Sequence, residues 1–157
     1  MILGRASAAL LGLTLALVPA AASGDATDQA PAGAQVDPDY AAGKMAIAAK
    51  DWNAAIKALS SAALRDTRNP DIQNYLGYAY RHIGQLELAF KHYQRALDLN
   101  PRHRGAHEYI GEAYLIVNNL GKADEHLASL QQICLIPCEE YTDLKNAIGA
   151  YRRGAGR

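Results

Sequence analysis

The chain has 157 residues, 16 Lys and Arg matched by 16 Asp and Glu, and 50% hydrophobic residues, which is material for one domain with a packed core. Zero net charge argues against a charge-driven grip on nucleic acid or on an anionic membrane surface, since both need a surplus of Lys and Arg. Two Cys are too few for a disulfide-built mini-protein, so the fold must rest on packing.

Residues 1–22, MILGRASAALLGLTLALVPAAA, carry one positive charge at Arg5, an apolar run from Ala8 to Val18, a break at Pro19 and then small residues. This order reads as a secretory signal peptide cleaved after Ala22, with Ala20 and Ala22 as the small-x-small pair. The alternative is an uncleaved anchor helix, but the apolar run falls well short of the ~20 residues that span a bilayer. Losing Arg5 leaves 15 basic against 16 acidic residues, a net charge of −1. The mature protein is therefore expected outside the cytoplasm, periplasmic or secreted and not membrane-embedded, where its two Cys meet an oxidising environment. Residues 23–36, SGDATDQAPAGAQV, hold no large apolar residue before Val36 and read as a disordered linker.

From there a step of 34 residues organises the chain: Gly43, Gly77 and Gly111; Ala55, Ala89 and Ala123; Leu59, Tyr93 and Leu127; Trp52, Leu86 and Leu120. Between these columns apolar residues recur at helical spacing, as in Tyr75, Leu76, Ala79, Tyr80 and Ile83. Short breaks fall at residues 82–85, at Asn118-Asn119 and at Asn100-Pro101, where Pro ends one helix and opens the next. Small residues in two columns let antiparallel helices cross closely, and the large columns fill the space between. After Pro137, Tyr141, Leu144, Ile148 and Tyr151 form one apolar face with Glu139, Glu140, Asp143 and Lys145 turned to water.

The middle stretch reads Gln73-x2-Leu76-Gly77-x2-Tyr80 and then Ala89-x3-Tyr93, with Ala96 a turn further on and Pro101 at the end. The last reads His107-x2-Ile110-Gly111-x2-Tyr114 and Ala123-x3-Leu127, with its Pro at Pro137, and the first keeps Ala42-Gly43-x2-Ala46 and Ala55-x3-Leu59. Over about Val36 to Pro137 the chain thus resembles the tetratricopeptide repeat, whose pattern is W-x2-L-G-x2-Y, A-x3-F and a closing Pro. The resemblance implies an all-α, right-handed solenoid of three helix hairpins, at about 36–69, 70–103 and 104–137, plus a capping helix and tail over 138–157, about seven helices in all. The CEEYTDLKNAI segment is also similar to tails of small exported bacterial repeat proteins.

In such a stack the first helix of each pair lines a concave face, which the resemblance marks as the place for an extended peptide or a partner helix. The candidate contacts are Tyr40 and Lys44 on the first such helix, Asn74, Tyr78, Arg81 and His82 on the second, and Glu108, Tyr109 and Glu112 on the third. Tyr gives stiff contact area with a polar tip, although Tyr75 and Tyr109 are equally placed to pack between helices. Asn74 is suited to a peptide backbone and Arg81 to a carboxylate. The Lys, Asn and Arg cluster by which some members of the family clamp a C-terminal carboxylate is missing, because Glu108 and Glu112 occupy the third helix.

Chemistry beyond binding is confined to Cys134 and Cys138, which bracket Leu135-Ile136-Pro137. A disulfide that fixes the cap is the main reading, with a soft-metal or redox pair of thiolates or two free thiols as alternatives. His103 and His107 stand four apart, but no Glu follows in the His-Glu-x2-His manner and His107 sits in a packing column; His82, His92 and His126 are isolated in the sequence. With no phosphate loop, nucleophile elbow or paired carboxylates, the expectation is no enzyme, no cofactor and no metal site. The chain reads as an exported adaptor or assembly factor for a protein or peptide partner. The alternatives are a Cys-dependent copper or redox carrier and a self-associating envelope scaffold.

Overall fold

The computed structural model describes residues 37–155; the leader and linker read over residues 1–36 lie outside the described residues. Among the described residues seven α-helices follow one another: α1 Pro38–Ala48, α2 Trp52–Arg65, α3 Pro70–His82, α4 Leu86–Leu99, α5 Arg104–Ile116, α6 Leu120–Ile133 and α7 Glu139–Ala150. A short π-helical turn over Tyr151–Ala155 ends them. No described helix is long and apolar enough to cross a membrane. The helix starts are chemically marked. Asp37, Asn69 and His103 each accept hydrogen bonds from backbone N–H groups in the first turn of α1, α3 and α5, and Pro38 and Pro70 occupy positions where a missing N–H costs nothing. Within each hairpin the turn is also repeated: Lys50, Gly84 and Asn118, again 34 apart, adopt positive φ of 58°, 77° and 57°. The residue after each donates its N–H back to Ala46, Tyr80 and Tyr114 at 2.8–2.9 Å, closing the helix C-terminus.

The three hairpins α1–α2, α3–α4 and α5–α6 stack in order, and each second helix also rests on the first helix of the next pair. The first helices adjoin one another, α1 to α3, α3 to α5 and α5 to α7, so they form the inner side of the stack. The core is continuous because Tyr80 packs against both the α1–α3 cluster and the α4–α5 cluster, and Tyr114 against both the α4–α5 and α6–α7 clusters. Close approach explains the glycine columns: a Cβ on Gly43 would lie 2.5 Å from Leu59, and one on Gly77 2.6 Å from the Tyr93 ring. At Gly111 the nearest atoms, at 2.7 Å, belong to Leu144 of α7. The cap is therefore a fourth first helix in register. Leu76, Ile110 and Leu144 stand 34 apart and are 1%, 1% and 0% exposed, each such burial contributing about 1.5–3 kcal/mol.

Candidate functional site

The residues read as a groove fall into two groups on the inner side. In the first, the rings of Tyr78 on α3 and Tyr109 on α5 lie 4.8 Å apart, and the Arg81 guanidinium sits 5.3 Å and 5.6 Å from their centroids. Arg81 also pairs with Glu112 at 2.6 Å, and its side chain is only 12% exposed. The expectation of a free cation for a partner's carboxylate thus meets an Arg81 whose charge is already matched inside the fold. Its Nε and the Tyr93 hydroxyl are buried without hydrogen-bond partners. His82 lies 4.4 Å from the Tyr78 ring and stacks at 4.2 Å on Trp52, the first residue of α2. Trp52, read from the sequence only as a packing residue, extends this aromatic surface.

Tyr40 and Lys44 stand on α1, with the Lys44 ammonium 5.6 Å from the Tyr40 ring and Tyr40 6.1 Å from Tyr75. Burial pushes the Tyr40 phenol up to about 12, so it stays neutral. The second group surrounds a cavity of about 300 Å³ lined by Asn74 and Glu108 together with Asp71, Tyr75, Tyr109 and Asp143. Asn74 and Glu108 are 4% and 8% exposed. Glu139 and Asp143 on α7 are exposed, as the sequence reading had them; what that reading missed is that they also border this cavity. The 34-residue register, carried one step past Tyr75 and Tyr109, lands on Asp143 and would have found it.

His103, His107 and His126 serve the scaffold. His103 caps α5 and reaches Asp71 at 2.9 Å. His107 and His126 face each other through their Nδ1 atoms at 2.9 Å, while His107 Nε2 lies 3.0 Å from the Pro101 carbonyl. The carbonyl must accept from Nε2–H, which leaves His107 Nδ1 to accept from His126. His126, isolated in the sequence, is thus paired in space, and burial followed by the His107 charge pulls it down to about 4. The sulfurs of Cys134 and Cys138 are bonded to each other, with Cα atoms 5.9 Å apart. Among the described residues no group of three or more His, Cys, Asp or Glu side chains is arranged to hold a metal ion.

Residues 70–103, which comprise α3, α4 and the turn after them, match the tetratricopeptide repeat family. The central hairpin is thus similar to that repeat, and the flanking hairpins keep its 34-residue register. No curated protein matches the chain. An all-α stack of helix hairpins built on this repeat points to a protein interaction module.

Proposed function

We propose that the chain is an exported interaction module, an adaptor or assembly factor, that holds an extended peptide or a partner helix on the side formed by α1, α3 and α5. The observation that carries this reading is the aromatic surface of Trp52, Tyr78, His82 and Tyr109, joined ring to ring and fixed from below by the Arg81 and Glu112 pair. Rigid aromatic groups with polar tips are the usual anchors of protein interfaces. Export is supported by the leader-like order of residues 1–22 and by the bonded Cys134 and Cys138, since disulfides persist in oxidising compartments.

The test is affinity capture from the exported fraction with the parent chain and a Tyr78→Ala variant as baits. Tyr78 is partly exposed, so its truncation leaves the melting temperature within a few degrees while weakening partner capture by about 30-fold, the size of an interface hot spot. Identical sets of proteins from both baits would remove the aromatic surface from the reading.

A further inference from the structure

The cavity between α3, α5 and α7 is lined by five carboxylates, Asp71, Glu108, Glu139, Glu140 and Asp143, and we infer that it receives the cationic head of a lysine or arginine side chain from the bound polypeptide. The inference rests on the interaction-module reading and adds the chemistry of the partner to it. Two of the five are held within the fold, Asp71 by a hydrogen bond from the His103 ring at 2.9 Å and Glu140 by the Arg104 charge at 3.5 Å. Glu108, Glu139 and Asp143 have no ion-pair partner among the described residues. Glu139 and Glu140 also belong to the first turn of α7, where acidic groups complement the helix dipole. That does not account for Glu108, which sits in the second turn of α5 and is 8% exposed.

Asn74 is the independent observation. It is 4% exposed, lines the same cavity, and its Oδ1 is buried with no hydrogen-bond partner. The Asn74 oxygen is a buried acceptor left unmatched, and the Glu108 carboxyl in the same cavity becomes a second acceptor when it ionises; leaving either unmatched is costly. What the cavity lacks is a donor carrying positive charge. An ammonium offers three donors and a guanidinium five. The acceptors do not converge closely enough for a metal ion among the described residues, which favours a cation with spread donors. Tyr75 and Tyr109 in the wall supply ring faces for the charge and apolar surface for a long side-chain stem. A phosphate or a terminal carboxylate would meet like charge.

Protonation follows the same logic. Burial, then Glu112, Asp143 and Glu140, push the Glu108 carboxyl up to about 8, against the opposing pull of Arg81. The groups around it are Asp71 and Arg81 from α3, His103 at the cap of its own helix and Glu112 within it, and Glu139, Glu140 and Asp143 from α7. An arriving cation favours the ionised form, so its binding releases a proton and tightens as pH rises.

The experiment is ¹H–¹⁵N NMR of the full chain titrated with Nα-acetyl-lysine amide and Nα-acetyl-arginine amide, with Nα-acetyl-norleucine amide, Mg²⁺ and Ca²⁺ as comparisons. Amides of Asn74, Gly105 and Glu108 should shift and saturate with half-effect near about 1 mM for at least one cationic amide, the scale of a single charged contact set. The affinity should fall at least about tenfold from pH 8.5 to pH 6. Glu108→Gln and Asp143→Asn should each abolish saturation while the chain stays folded. An equal response to norleucine, saturation by the divalent ions in place of the amides, or no saturation by either cationic amide overturns the inference. If the amides fail while the parent still captures a partner through Tyr78, this inference falls and the module stands. Saturating amides without partner capture would uphold the cation pocket and remove the module.

Discussion

The second and third hairpins are built on one template and differ in what completes them. In α3–α4 the Gln73 amide pairs with His92 at 2.9 Å and Tyr80 stacks on His92 at 5.3 Å. In α5–α6 the equivalent positions are His107, His126 and Tyr114, with the same 2.9 Å contact and a 5.7 Å stack. An amide can donate and accept at any pH, whereas two facing imidazoles need one ring to remain an acceptor. The hairpins also close differently. Tyr93 of α4 is fully buried over Gly77, while Leu127 is only half-buried and Gly111 is covered by Leu144 from α7. A repeat can thus keep its register while it transfers part of its core to a neighbour and changes its own response to acid.

The largest effect is expected where the template is tightest. Gly77→Leu drives a side chain into the Tyr93 ring, since even a Cβ would lie 2.6 Å away; a loss of about 3 kcal/mol or more should leave no cooperative thermal transition near that of the parent. Next is the borrowed core. Leu144→Ala should cost about 2–5 kcal/mol and, by hydrogen exchange, strip protection from α5–α7 while sparing α3–α4. Uniform loss over all seven helices would contradict the division between the hairpins.

The smallest effect concerns acid. The folded chain holds His126 near 4 and His107 below its usual value, both through burial first. For a base with a depressed folded value, the unfolded chain binds more protons, so stability is full above about pH 6.5 and is lost as pH falls towards 4. Between pH 7 and pH 5 the parent should lose about 1–2 kcal/mol from this pair. His107→Gln, which copies the Gln73 arrangement, should reduce that loss by about half, read from urea midpoints at the two pH values. An unchanged pH slope would remove the imidazole pair as its source.

Much of this architecture is legible in the sequence because it is local and periodic. The glycine and alanine columns, the Asn100-Pro101 break and the spacing of Leu144 and Ile148 are enough to place seven helices, the cap among them. The central hairpin, with its Gln73-x2-Leu76-Gly77-x2-Tyr80 run, is the stretch that matches the repeat family. What escaped is pairing between side chains far apart in the chain. Arg81 and Glu112 are 31 residues apart and His107 and His126 are 19 apart, so each looks unattached on its own helix. Asp143 is exposed on the wet side of a terminal helix, as read; its place in the cavity with Asn74 and Glu108 shows only when the register is carried through that helix.

The central claim is that the side formed by α1, α3 and α5 is the binding face. The most direct measurement places a photo-crosslinking amino acid at Tyr78 in one chain and at Gln94, exposed on α4, in another, and exposes both to the exported fraction. The account predicts a discrete adduct from position 78 that position 94 does not form. The same adducts from both positions, or a discrete adduct from position 94 alone, would contradict it.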